Sequence, residues 1–315
     1  MFFFRKIIIL LLLVFSFFMT AQADEAFSQS PPNASNSSSS NAIEKVFYHF
    51  LESITGSNPS LYQKKINKVE QSDNRYTIAL YKPSYVIPAY YTEKPDFSAY
   101  GNSTPDDQTL DRMEFKGQIS FLVPIVKQIA GSKMQLDMSY TQLSYWQVYA
   151  KSQYFRETDY TPALFISDNF INNWQYDLGL KHQSNGRGGE YERSWNRLFG
   201  DVIFARNNWM VDIEPWILIF KNDSSNLHNP DIRQYMGNGQ IQFAYKWGKS
   251  TFALMSRNNL QSRFKRGAVE FDWSYPVLPH FSLFLQEFNG YGQSLIEYNH
   301  YTNSIGIGFA LNNLL

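Results

Sequence analysis

A polar, turn-rich stretch between two strand-like runs contains residue types suited to acyl transfer. Within residues 182–197, His182 lies two positions before Ser184, and Asn196 follows the serine by 12 positions. A hairpin would bring the three together, with Ser184 as nucleophile, His182 as its base and Asn196 orienting the imidazole through its side-chain carbonyl. The backbone amide near Gly186 would help to hold the oxyanion. By spacing alone this is a weak indication of chemistry.

Alternation of side chains predicts which face of a sheet carries these residues. His182 and Ser184 share parity with apolar residues of the preceding run, and Asn196 shares parity with Leu198 and Val202. In a membrane barrel the apolar face is the lipid face, so all three are predicted to project outward near the membrane interface. A polar group there costs free energy, and a site for lipid substrates would explain it. An interfacial polar girdle without catalysis is the alternative.

The elements that would position the site follow a period of two. Met134, Leu136 and Met138 alternate with polar residues, as do Val269 and Phe271. Short turns alternate with long polar stretches, which is typical of up-and-down outer-membrane barrels. We therefore predict an all-β, twelve-stranded antiparallel transmembrane β-barrel of the outer membrane. The predicted strands are 75–91, 112–127, 133–150, 161–170, 173–184, 194–207, 209–220, 238–248, 250–258, 266–278, 280–289 and 301–314.

Composition is consistent with an exported membrane barrel. The chain has 26 Phe, 21 Tyr and 7 Trp but no cysteine, so the folded state would depend on its core or on a membrane rather than on disulfides. Lysine plus arginine equals aspartate plus glutamate, and this neutral balance does not point to nucleic acid. A soluble β-sandwich or lipocalin-like barrel is the alternative, but twelve long aromatic-rich strands are many for a soluble domain.

The N-terminal region is expected to lie outside the barrel. Residues 1–23 resemble a signal peptide, with Arg5 and Lys6 before an apolar run and Ala21-Gln22-Ala23 as a cleavage site. A membrane anchor is the alternative interpretation of this run. Residues 24–74 form a Ser/Asn-rich linker and a short segment in which 42–53 is a candidate amphipathic helix. The predicted barrel domain spans residues 75–315.

Two runs around the candidate triad carry a resemblance to a known family. They are His182-Gln183-Ser184-Asn185-Gly186-Arg187 and Arg193-Ser194-Trp195-Asn196-Arg197-Leu198. Both resemble the active-site signature of the outer-membrane phospholipase A family of Gram-negative bacteria, with its spacing intact. Segments 140–142, 146–147, 155–158 and 306–313 add support, and the resemblance covers roughly residues 75–315.

The resemblance implies a function as well as a fold. Members are twelve-stranded barrels that hydrolyse phospholipid acyl esters at the sn-1 and sn-2 positions, need calcium and act as homodimers. It implies that His182 is the base, Ser184 the nucleophile and Asn196 the orienter, with the Gly186 amide and calcium-bound water stabilising the oxyanion. The implied partners are phospholipid substrate, the outer membrane and a second copy of the chain.

The implied calcium ligands depart from the family pattern at one position. The family uses a main-chain oxygen at the position of Arg187 and a serine hydroxyl four residues before the catalytic asparagine, where this chain has Glu192. A carboxylate is a hard oxygen ligand suited to calcium, although glutamate is longer than serine. A further main-chain oxygen comes from the partner subunit, near Ser152 here. The family's terminal phenylalanine is replaced by Leu315.

Gln142 is a candidate dimer contact. It shares parity with the apolar residues Met134, Leu136 and Met138, which predicts that it faces lipid. A lipid-facing amide is better satisfied by a partner amide, and the resemblance implies a dimer-interface glutamine here. An amide that meets water at the membrane interface is the alternative.

Other functions remain open at the level of sequence. A porin or substrate channel would use inward-facing polar residues such as Asp137, Asp177, Glu270 and Asp272, although a twelve-stranded lumen can fill with side chains. A lipopolysaccharide deacylase is a second alternative. A structural barrel with a decayed site is a third, but all three triad residues are present.

Overall fold

The computed structural model describes residues 78–315 except 102, 172, 220–227, 280 and 313. Within these residues the chain forms thirteen β-strands. They are β1 (Ala79–Leu80), β2 (Tyr85–Thr92), β3 (Met113–Val126), β4 (Gln135–Gln147), β5 (Tyr154–Ile171), β6 (Trp174–Ser184), β7 (Ser194–Arg206), β8 (Trp209–Ile219), β9 (Gly239–Trp247), β10 (Ser250–Arg257), β11 (Ala268–Leu278), β12 (Phe281–Tyr291) and β13 (Tyr301–Ala310).

The sheet closes on itself as an antiparallel barrel. Each of the strands β2 to β13 pairs with its neighbours in sequence, and β13 pairs with β2. The two-residue strand β1 lies outside this cycle and pairs with β3. The predicted twelve-stranded barrel is therefore confirmed.

The two ends of the barrel differ. At one end the connections are tight: Asn207 and Gly248 adopt positive φ values of 47° and 58° between adjacent strands. At the other end the connections are longer and contain the α-helix α1 (Ile232–Met236) and 3₁₀ turns such as Ser98–Tyr100 and Gly189–Tyr191. The last residues of β6 and the first residues of β7 lie at this long-loop end.

Two predicted strands differ from the observed ones. β5 begins at Tyr154 rather than 161, because charged residues that suggest a loop face the barrel interior: Arg156 and Asp159 are each 2% exposed. The predicted strand 75–91 is observed as β1 and β2, separated by a segment that contains Pro83. Proline lacks the N–H that a ladder requires, which disfavours pairing at Pro83.

Alternation separates an apolar outer wall from a polar interior. On β6, Leu178 and Leu180 are 58% and 49% exposed, whereas Asp177 and Lys181 are 2% and 7% exposed. This is the distribution expected when lipid surrounds the barrel and polar side chains satisfy one another inside it. No helix among the described residues is long and apolar enough to cross a membrane.

The interior at the long-loop end is held by a buried ion-pair cluster. Arg156 donates to both carboxylate oxygens of Glu114 at 2.6 and 2.8 Å, to Glu297 at 2.9 Å and to the Tyr100 hydroxyl at 2.6 Å. Because Glu297 belongs to the loop before β13, the cluster fixes that loop to the wall. Charge-assisted bonds of this kind are stronger than neutral ones.

The predicted N-terminal features lie outside the described residues. They are the signal peptide of residues 1–23, the segment 24–74 and the candidate helix 42–53, and all three stay predictions.

Candidate active site

His182 and Asn196 face each other across two neighbouring strands. The register of β6 and β7 makes them direct cross-strand partners. His182 Nδ1 lies 2.8 Å from Asn196 Oδ1, which is hydrogen-bond distance. An amide oxygen only accepts, so Nδ1 carries the proton and Nε2 keeps its lone pair. The imidazole is thus oriented with its basic nitrogen directed away from the asparagine.

Both residues belong to the outer wall of the barrel. His182 shares parity with the exposed Leu178 and Leu180, and Asn196 with Leu198, which is 36% exposed. The intervening Lys181 and Arg197 are buried in the interior. The pair is half-buried at the end of the apolar surface, where β6 gives way to a loop. The structure therefore places these residues on the outward face that parity predicts.

Ser184 lies on the same face as His182, at the last position of β6. Its neighbours in the ladder are Tyr160 on β5 and Ser194 on β7, and it is half-buried. Its hydroxyl and the His182 ring are not hydrogen-bonded to each other within the described part of the chain. Catalytic hydrogen bonds are often long before substrate binds and tighten in the complex.

The loop after Ser184 is pinned from the interior by Asn185. Asn185 is 4% exposed, and its side chain donates to Glu157 at 3.1 Å and to the Tyr191 carbonyl at 2.9 Å. Its oxygen accepts from the Arg193 amide at 3.0 Å. Immediately after it, Gly186 turns the chain outward at φ +66°, where a Cβ would approach the Tyr160 ring to 3.0 Å. Only glycine adopts this turn without strain.

Arg187 and Glu192 lie in this same loop. The Arg187 guanidinium turns inward: its Nε donates to Glu157 at 2.9 Å, and Nη2 donates to the Arg156 carbonyl. Glu192 follows the 3₁₀ turn Gly189–Tyr191, and its carbonyl accepts from Arg193. Partial burial lowers the pKa of the Arg193 guanidinium.

The oxygen donors of this loop are the type that calcium prefers. They are main-chain carbonyls and the Glu192 carboxylate, all hard oxygen ligands. No group of three or more His, Asp or Glu side chains with metal-binding geometry occurs among the residues that the structure describes. The hard oxygen donors of this loop are therefore main-chain carbonyls and single carboxylates rather than a cluster of carboxylates.

Ser152 lies in a separate loop, between β4 and β5. Its hydroxyl donates to Asp106 at 2.5 Å, and its carbonyl accepts from Gln108 Nε2 at 2.6 Å. These contacts hold the loop against the connection between β2 and β3. The Ser152 carbonyl thus lies at this end of the barrel and already accepts one hydrogen bond, from Gln108.

Gln142 faces outward in a short polar row. Its Oε1 accepts from the Tyr140 hydroxyl at 2.9 Å, and its Nε2 donates to Ser144 at 3.3 Å. It is the direct cross-strand neighbour of Tyr160, which in turn neighbours Ser184. A row of neutral polar side chains thus leads along the outer wall from Gln142 to the serine.

Two residues important to the site geometry were not identified from the sequence. Asn185 and Glu157 hold the loop that carries Gly186, and Glu157 is buried at 1% exposure. The signal for Asn185 is its parity, because its side chain points inward whereas positions 184 and 186 lie on the outward side. For Glu157 no such signal exists, because a bulge at Arg156 of β5, opposite Tyr145 and Trp146 of β4, shifts the register.

Comparison with known proteins gives a consistent family. A family model described as phospholipase A1 matches residues 61–311. The phospholipase A1 of Salmonella typhimurium is 35% identical over 257 residues, covering 79% of this chain and 86% of that protein. The phospholipase A1 of Escherichia coli K12 is 34% identical with the same coverage.

Solved structures agree with the sequence relatives. The Salmonella typhi outer membrane phospholipase dimer with bound calcium superposes with a TM-score of 0.72 at 33% identity, covering 79% of this chain and 98% of that one. An asparagine-to-alanine active-site mutant of outer membrane phospholipase A from Escherichia coli gives the same TM-score and identity, with 80% and 98% coverage.

Proposed function

Because the chain belongs to the phospholipase A1 family, we propose that Ser184, His182 and Asn196 hydrolyse phospholipid acyl esters at the outer wall of this outer-membrane barrel. The bonds cleaved are the sn-1 and sn-2 esters of lipids in the outer leaflet. The observation that carries the proposal is the His182–Asn196 hydrogen bond of 2.8 Å on the lipid-facing side, two residues from Ser184.

The reaction proceeds by acyl transfer. Ser184 Oγ attacks the ester carbonyl carbon while His182 Nε2 takes the hydroxyl proton. The tetrahedral intermediate then expels the lysophospholipid alkoxide, which receives that proton from His182. Water, activated by the same nitrogen, hydrolyses the acyl-serine and releases the fatty acid. The Gly186 amide donates to the negatively charged oxygen of each tetrahedral intermediate.

Asn196 positions His182 without adding a charge. A carboxylate at this place would stabilise the imidazolium, but it would add a charge at the loop end of the lipid-facing wall, where a charge costs about 0–1 kcal/mol. The neutral amide oxygen keeps the proton on Nδ1 at less desolvation cost. The active-site asparagine mutated in the Escherichia coli enzyme supports a role for an asparagine in such a site.

Calcium is the proposed cofactor. When bound, it supplies positive charge that favours an oxyanion beside it. In this chain the Arg187 carbonyl and the Glu192 carboxylate would hold it. The calcium described for the Salmonella typhi relative supports this assignment. The inward-turned Arg187 guanidinium orients the loop that carries both ligands.

A homodimer is the proposed active form. The Salmonella typhi structure is described as a dimer, which supports this proposal. The outward-facing amide of Gln142 is the proposed contact. In such a dimer Gln142 would meet its own copy, and Ser152 would offer its main-chain oxygen to the calcium site of the other subunit. The polar row from Gln142 to Ser184 would then line the same interface as the nucleophile.

The test is fatty-acid release from mixed detergent–phospholipid micelles. The purified, refolded protein is expected to release fatty acid with calcium and to stop with a chelator. Ser184→Ala is expected to abolish release, whereas Ser194→Ala, at the adjacent cross-strand position, is expected to keep it. No release by the natural chain, or equal release by Ser184→Ala, contradicts the proposal.

A further inference from the structure

A cavity inside the barrel is lined by more cationic than acidic side chains. Its volume is about 190 Å³. This far exceeds the roughly 10–15 Å³ that one water needs by a comparable measure. The charged lining consists of Lys82, Lys181, Arg197, Arg257, Asp159 and Glu214. Four positive groups therefore face two negative ones in the interior, away from the outer wall that carries His182.

The two lysines share a single carboxylate. Lys181 Nζ donates to Glu214 Oε1, and Lys82 Nζ lies 3.8 Å from Glu214 Oε2. Glu214 is 3% exposed, so water screens this group poorly. Lys181 is thus paired directly with Glu214, whereas Lys82 is 36% exposed and reaches the same carboxylate from the edge of the cavity.

Neither arginine forms a direct ion pair with a carboxylate within the described residues, although Glu214 acts on Arg197 and Glu270 on Arg257 over longer distances. Arg197 is 6% exposed and lies 3.9 Å from the Trp195 ring centroid, and only its Nη2 bonds, to Gln183 at 3.2 Å. Arg257 Nη2 donates to the carbonyls of Tyr291 and Gly292 at 2.8 and 2.9 Å. The Nε of each arginine is buried and has no hydrogen-bond partner among the described residues.

Buried guanidinium groups whose Nε has no partner and whose carboxylates are not directly bonded are costly, so the cavity is suited to an anion. The remaining acid, Asp159, already accepts from the Leu295 amide at 3.0 Å. A planar guanidinium matches the oxygens of a phosphate, and two of them with an ammonium can surround one.

We propose that this cavity binds a phosphate group, held by Arg197 and Arg257 with Lys181 beside them. The phosphate is either the free ion or that of a small phosphomonoester. The site is separate from the proposed catalytic residues, which lie on the opposite face of the same strands β6 and β7.

The test is isothermal titration calorimetry on the folded, full-length protein in nonionic detergent. Chelator and constant ionic strength remove effects of calcium and of bulk salt. Inorganic phosphate and sn-glycerol 3-phosphate are titrated separately, and saturable binding of at least one is expected. Binding of the first alone indicates the free ion, and tighter binding of the second indicates the monoester.

Variants locate the site. Arg197→Gln and Arg257→Gln are each expected to weaken binding at least tenfold. Lys116→Gln is the matched control, because Lys116 is also a buried interior cation, 2% exposed, but does not line the cavity. Circular dichroism checks that each variant folds. If only one of the two arginine variants folds, its binding constant is sufficient to test the site. Absence of saturation with both compounds, or unchanged binding in a folded arginine variant, overturns the proposal.

Discussion

The outer wall and the interior of this barrel hold polar residues of different kinds. Outside, the polar side chains near the site are neutral: histidine, serine, asparagine, glutamine and tyrosine. Inside, they are charged, as in the buried contacts of Arg156 with Glu114 and Glu297. A neutral group loses less hydration free energy beside lipid than a charge does. The proposed proton transfer and nucleophilic attack on the outer wall thus depend on neutral groups, while most buried charge lies in the interior, where partners are available.

The largest expected effect is the loss of ester hydrolysis when a residue of the outer wall is changed. His182→Ala is expected to lower the rate of ester hydrolysis by at least about 10⁴-fold, because the base and the nucleophile act as a unit. The unfolding midpoint should not change. Gln183→Ala, at the next position but facing the interior, serves as the control and should retain turnover. Comparable activity of His182→Ala and Gln183→Ala would refute the assignment of roles by face.

The next largest effect is a loss of stability when the buried ion-pair cluster of the interior is changed. Arg156→Leu is expected to destabilise the barrel by about 3–5 kcal/mol, because it leaves Glu114 and Glu297 buried without a counter-charge. Denaturant unfolding in detergent measures it. Arg263→Leu replaces an exposed loop arginine and should change stability by no more than about 0.5 kcal/mol. Equal midpoints for the two variants would show that the buried cluster does not support the fold.

Asn196→Ala tests whether the asparagine on the outer wall orients His182. It removes the partner that fixes the His182 tautomer but leaves the base in place, so kcat is expected to fall by about 100-fold while KM stays similar. Steady-state kinetics on micellar substrate separate the two constants. Asn196→Asp restores an acceptor and should recover part of kcat. A variant with alanine that matches the natural kcat would exclude an orienting role.

Glu192 tests whether a charge near the outer wall serves a metal. Glu192→Gln is expected to raise the calcium concentration for half-maximal activity at least about tenfold, because it removes ligand charge. A calcium titration of fatty-acid release measures the shift. Glu190→Gln, an exposed glutamate of the same loop, is the matched control. Identical titrations for both variants would remove Glu192 from the ligand set.

The smallest expected effect concerns Gln142. Gln142→Leu should weaken dimerisation by about 0.6–1.7 kcal/mol, the range measured for hydrogen bonds between membrane segments. Crosslinking in the presence of calcium measures the dimer fraction. Asn289→Leu replaces an exposed polar residue on β12 and should leave dimerisation unchanged. Crosslinking that is unaffected by Gln142→Leu would contradict the interface assignment.

Much of the fold was predictable because side-chain alternation is local. Two residues on β6, Leu178 and Leu180, suffice to fix the outward face, and His182 and Ser184 follow from them. The cross-strand pairing of His182 with Asn196 follows once the hairpin register is known. The strand count was predictable for the same reason, since each apolar alternation ends at a turn signal.

The interior was not predictable because its contacts join residues far apart in sequence. Arg156 contacts Glu297, which is 141 positions away, and no local pattern links them. The charged run that contains Arg156 also suggested a loop and hid the first part of β5. The cationic cavity is a further example, because its lining combines residues from several strands and from the segment before β2.

The alternation on β6 has a consequence for how this protein can change in length. The residues of a strand can be arranged in two ways, which differ in which alternate set of side chains faces lipid. A single-residue insertion between Trp174 and Leu180 would exchange them, turning Ser184 into the lumen and Lys181 toward lipid. An insertion of two residues would return each side chain to its original face. A single insertion in β6 therefore disturbs the site unless a β-bulge absorbs it, as the bulge at Arg156 does in β5.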